Sequence, residues 1–165
     1  MQHSDVLKNC LGKAIFAFTA TRQYAPEDVD AAFHAWLPQL ERALTDTLPN
    51  LAESYGNAVR SNPRSTIENV DELVDQIKQA AIVRNVLCHA SWSAPDVAGK
   101  TLPLFVNRKL EKFETHIDKH FLVQVQRHVA ELICAVVDTV TYAGMQFPGS
   151  EGPGEPIWTR PTRST

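Results

Sequence analysis

From Lys119 to Ala143, apolar side chains return every third or fourth residue: Leu122, Val125, Val129, Leu132, Ile133, Val136 and Val140. At 100° per residue these positions form one stripe along a single long helix. Most of the stability of such a helix comes from packing its apolar face against other elements, so the chain must supply partners. It does so upstream. Leu7, Cys10, Leu11, Ala14, Ile15 and Phe18 predict a first helix over 5–21. Phe33, Trp36, Leu37, Leu40, Leu44, Leu48, Leu51, Tyr55 and Val59 follow in steps of three and four. Pro26-Glu27-Asp28 is a suitable helix start. Pro38 and Pro49 interrupt the stretch, which predicts a short helix to about Leu37 and a longer one bent near Pro49. The same prolines make these leucines core positions rather than a long coiled coil.

Ser65-Thr66-Ile67-Glu68 fits a capping box and predicts a helix from about Thr66 to Ser91. Leu102 to Val106 and Lys112 to Ile117 alternate like strands around a turn at Asn107 to Lys109. The expected fold is therefore all-α: an up-and-down bundle of about four main helices with a small β-hairpin before the last helix. The bundle is expected to occupy residues 1–147. Residues 148–165 form a Pro/Gly-rich tail without periodicity, expected to be disordered, in which Trp158 is an odd exposure.

With 165 residues, 44% hydrophobic and 21% charged, the composition is that of an ordinary globular domain with a core of its own. The formal net charge of −3 argues against a broad nucleic-acid-coating surface but leaves room for a local basic site. Cys10, Cys88 and Cys134 are odd in number and widely spaced, which points to reduced thiols and a cytoplasmic setting. No stretch is long and apolar enough to span a membrane. The apolar patch Ala14 to Ala20 fits a helix stripe better than a secretion leader.

The functional signal lies in residues 80–92, Ala-Ala-Ile-Val-Arg-Asn-Val-Leu-Cys-His-Ala-Ser-Trp. Arg84, Asn85 and His89 interrupt an otherwise apolar run. Burying unpartnered polar groups costs on the order of 1–3 kcal/mol each, so these three have specific partners or do chemistry. Val70, Val74, Ile77, Ala81 and Cys88 mark the centre of the core stripe, and Arg84 falls roughly 40° from it. Asn85 and His89, four apart, stack on one flank. Arg84 and His89 project about 140° from each other, so they converge only on a distorted last turn or across a second copy of the helix. The other sides of this helix are also apolar, which suggests that it is surrounded, as by a dimer partner.

The residue types suit phosphodiester chemistry. A guanidinium grips phosphate through bidentate, charge-assisted bonds. An imidazole can take a proton from a ribose 2′-hydroxyl or give one to the leaving oxygen. An amide beside them can orient either group. No metal and no cofactor is needed for that reaction.

Arg84, four residues and then His89, with Asn85 directly after the arginine, resembles the signature of the HEPN superfamily. The downstream order, Ala90-Ser91-Trp92, a hairpin and a long final helix, is similar too. Ala90 stands where many members have glycine. The resemblance implies a helical bundle that dimerises with its motif helices in a cleft. It further implies a metal-independent endoribonuclease of toxin or defence type, leaving a 2′,3′-cyclic phosphate. Some such proteins pair with a nucleotidyltransferase-type antitoxin. On this reading Arg84 binds the phosphate, His89 is the acid/base and Asn85 the orienting residue. The alternative is a non-catalytic HEPN-like module that binds RNA, nucleotide or protein. In that case Arg84 is a structural ion pair with a carboxylate such as Glu131 or Asp138.

Plainer readings apply to the other candidates. Cys88, on the stripe, reads as a packed thiol. His116, His120 and His128 have helical spacings that could hold a metal but read better as solvated surface. Trp36 and Trp92 read as core or interface aromatics.

Overall fold

The computed structural model describes residues 2–20, 28–65 and 67–150. Five helices follow one another: α1 (Gln2–Ala20), α2 (Val29–Thr45), α3 (Leu48–Ser61), α4 (Val70–His89) and α5 (Lys119–Tyr142). α1 packs against α2, α3 and α5, while α4 lies chiefly on α3 and touches α5. The core gathers the stripes read from the sequence: Leu7, Leu11 and Phe18 of α1, Leu51, Tyr55 and Val59 of α3, Val74 and Ile77 of α4, and Leu132, Val136 and Val140 of α5. Among the described residues, no helix is long and apolar enough to cross a membrane.

The prolines behave differently from expectation. α2 runs unbroken through Pro38. Pro38 sits on the exposed face, where solvent can take the carbonyl that its missing N–H leaves free. The inner face is held by buried Leu40 and by a cluster in which Phe16 lies 5.4 Å from Phe33 and 5.1 Å from Trp36, centroid to centroid. At Pro49 the chain does not bend but starts a new helix. Thr47 caps α3, its hydroxyl accepting from Asn50 N–H at 3.4 Å, and Pro49 occupies the first turn, where a missing donor costs nothing. Asp46 supports the break by accepting from Thr47 N–H at 2.7 Å. The expected break near Leu37 thus moves to Asp46, and a short helix followed by a long bent one becomes two helices of 17 and 14 residues.

The start of α4 also shifts. Buried Asn62 donates its side-chain amide to the Phe18 carbonyl at 2.7 Å and accepts from Arg64 N–H at 2.9 Å. Ser65 N–H then closes a turn onto the Asn62 carbonyl, and the helix begins only at Val70. The expected β-hairpin is not formed. The segment between α4 and α5 has no strand, only three isolated antiparallel bridges: Ser91 with Leu104, Thr101 with Ile117, and Val106 with Lys112. Pro103 offers no N–H for a ladder, and Leu104 pairs back to Ser91 instead of onward. The expected turn is present: Asn107 Oδ1 accepts from Lys109 N–H at 2.8 Å and from Glu111 N–H at 3.0 Å. Beyond Ser150 the tail, with Trp158, lies outside the described residues.

α3 and α4 are pinned at the surface by Glu53, whose carboxylate meets Lys78 at 2.6 Å and Arg60 at 3.3 Å. The hydrogen bond from Lys78 holds the Glu53 carboxyl below its ordinary value of 4.5. A carboxyl lowered in the native state contributes stability that is present above the unfolded value and lost as pH falls through the native one. Glu53→Gln is therefore expected to flatten the acid limb of stability below about pH 4.5. The pair is exposed, so the effect is small and fades at high salt. Urea midpoints of both proteins across that pH range, with and without added salt, check it.

Candidate functional site at the end of α4

The second half of α4 carries the polar trio. Ala80, Ala81 and Val86 are buried against the bundle. Arg84 is exposed, Asn85 half-buried, and His89, the last residue of the helix, exposed. Arg84 Nη1 donates to Asn85 Oδ1 at 3.3 Å, so the amide restrains the guanidinium. The helix stays regular to its end, with Ala90 N–H bonded to the Val86 carbonyl at 3.0 Å. Arg84 and His89 therefore leave one α4 about 140° apart. The structure bonds Arg84 to Asn85 and keeps Asn85 one turn from His89 on the same flank, but it does not bring Arg84 to His89.

Arg84 was expected on the core-facing side, and here the position is corrected. Its side chain lines a groove of about 240 Å³ that α4 and α5 share with α1 and the start of α3, lined also by Leu7, Leu48, Leu87, Cys88, Leu122 and Val125. α4 runs close along α3 and touches α5 less, so its side toward α5 has less cover than stripe geometry assigns it. For the same reason Cys88, expected as a packed core thiol, is exposed.

Among the described residues Arg84 makes no ion pair. The carboxylates considered for it lie elsewhere. Glu131 faces His128 at 4.0 Å, and Asp138 is buried further along α5, beside a cleft shared with Glu72. His116 and His120 are exposed, and His120 Nε2 lies 3.1 Å from Gln124 Nε2. No group of three His, Cys, Asp or Glu among the described residues could hold a metal ion. Trp92 is exposed, whereas Trp36 joins the aromatic cluster with Phe16 and Phe33.

Sequence reading missed one feature. Lys100, Arg108, Lys109 and Lys112 stand 11 to 23 residues beyond His89 in the sequence. The Ser91–Leu104 bridge folds their segment back to the end of α4, just past His89. The only sequence signal for this was the expected turn at Asn107. The chain as a whole matches no protein-family model, no curated protein and no solved structure.

Proposed function

We propose that the chain is a HEPN-like, metal-independent endoribonuclease of toxin or defence type, working as a homodimer. Two α4 helices would face each other at their C-terminal ends. Arg84 grips the scissile phosphate, Asn85 holds the guanidinium in orientation, and His89 handles the proton. The ribose 2′-oxygen attacks phosphorus and passes its proton to an imidazole. The 5′-oxygen departs with a proton from an imidazolium, which leaves a 2′,3′-cyclic phosphate and a 5′-hydroxyl. One imidazole in each site serves both steps, because the proton it takes from the 2′-oxygen is the one it gives to the 5′-oxygen. The observation that carries this reading is the Arg84 guanidinium, exposed and free of any carboxylate among the described residues. The basic segment around Arg108 supplies phosphate affinity in an otherwise acidic chain.

A second reading follows from the 140° between Arg84 and His89 in one copy, roughly the angle of five helical steps. If no dimer closes that angle, the same surface binds RNA, nucleotide or a protein such as a nucleotidyltransferase-type antitoxin without cleaving anything. Incubating purified protein with varied RNAs in EDTA decides between them. The nuclease reading expects fragments ending in a 2′,3′-cyclic phosphate. Retention of RNA by the intact protein, with no cleavage of any of them, would transfer the assignment to the binding module.

A further inference from the structure

Residues 91–117 form an arm that joins α4 to α5. Among the described residues eleven large apolar side chains stand well exposed, and nine of them lie on the arm or on the helices that flank it: six on the arm, Ile82 on α4, and Leu122 and Val123 on α5. Each of the nine is at least 40% exposed. Fully burying a Val, Leu or Ile removes roughly 60–120 Å² of apolar surface from water, so the nine together present on the order of 300–600 Å². A standard dimer draws roughly 800 Å² from each partner, a little over half of it apolar. The supply matches the need.

The tip of the arm is the most telling part. Leu110 adopts φ of 64°, the left-handed region that bulky side chains avoid. It ends 83% exposed, so its own chain offers no packing in return for the strain. The groove beside Arg84, which α4 and α5 share with α1 and the start of α3, has apolar walls, Leu7, Leu48, Leu87, Leu122 and Val125, and exposed Cys88 in its lining. One chain thus carries both a protruding anchor and an unfilled socket. A two-fold pairing covers both at once and closes without leaving either free.

We propose that the arm clasps a second copy of this chain, with Leu110 of each copy seated in this groove of the other. This rests on the dimer in the function proposed above and adds its means of assembly. It places the basic residues around the tip beside the Arg84 of the opposite copy.

The test uses a native thiol. Leu110→Cys, under mild oxidation, is expected to give a disulfide-linked dimer through Cys88 of the other copy, and Leu110→Cys with Cys88→Ser is expected to lose it. Leu110→Asn tolerates the left-handed backbone and keeps the fold, so it is expected to leave the melting temperature of the monomer equal or higher. It is expected to weaken dimerisation, measured by sedimentation, at least tenfold. A wild-type chain that stays monomeric at high micromolar concentration overturns both this proposal and the dimeric part of the function. A wild-type dimer that Leu110→Asn leaves intact, with no Leu110→Cys crosslink to Cys88, overturns the clasp alone.

Discussion

Replacing His89 by alanine is expected to slow RNA cleavage by roughly 10²- to 10⁴-fold, the range that a positioned acid/base contributes. The fold should hardly notice. His89 is the exposed last residue of α4, where an imidazole contributes at most its favourable meeting with the helix dipole, about 0.3–1 kcal/mol. The thermal midpoint should therefore move by only a few degrees. Arg84→Lys keeps the charge but loses the planar fork, and should retain more activity than Arg84→Ala. The angle between the two side chains makes a sharper demand. If one site draws Arg84 from one copy and His89 from the other, two inactive variants should rescue each other. Mixed dimers of Arg84→Ala and His89→Ala keep one intact site of two, and random exchange makes half of all dimers mixed. Activity should return to roughly a quarter of the wild-type value. Cleavage that survives His89→Ala removes the imidazole from the reaction. Absence of rescue, with both single variants inactive, places the whole site within one chain and contradicts the geometry of α4.

Periodicity recovered what periodicity can report, namely which side chains share a face. The stripe from Leu122 to Val140 places the last helix at 119–143, and it runs from Lys119 to Tyr142. The stripe from Leu7 to Phe18 predicts 5–21 where α1 spans Gln2–Ala20. Breaks were harder to read, because a proline has the same local chemistry whether it ends a helix, starts one or rides on a wet face. Pro38 rides, since Leu40 and the Phe16–Trp36 contact hold the other side. Pro49 starts, since Thr47 precedes it with a capping hydroxyl. The hairpin failed because alternation between Leu102 and Val106 says nothing about partners, and Leu104 found Ser91. For the site, the identity and angular spacing of Arg84, Asn85 and His89 were legible, because a regular helix turns them into geometry. Whether they lay in the core or in the open was not. That depends on how closely α5 covers α4, a property of two helices and not of either sequence stripe.

Tyr55→Ala is expected to be the most damaging single truncation in the core. Tyr55 is among the largest fully buried side chains, and it reaches from α3 to α5, where its hydroxyl donates to Thr139 Oγ1 at 2.8 Å. Thr139 in turn donates to the Val136 carbonyl at 2.7 Å. Removing a buried ring of this size costs about 3–5 kcal/mol through lost transfer energy and the cavity left behind. A domain of this kind holds only about 5–15 kcal/mol in total, so the melting temperature should fall by roughly 10 °C or more. Tyr55→Phe separates the ring from the hydroxyl. Thr139 keeps its bond to the Val136 carbonyl, so this change should cost only about 1 kcal/mol. The two variants also differ from wild type at alkaline pH. Burial pushes the Tyr55 phenol well above its ordinary value of 10, so above that pH the unfolded chain releases a proton that the folded chain keeps. Wild-type stability should therefore decline as pH rises past 10, and Tyr55→Phe should remove that part of the decline. Denaturant midpoints of the three proteins at neutral and alkaline pH measure all of this. A Tyr55→Ala protein within about 1 kcal/mol of wild type would mean that α3 and α5 do not meet through this ring.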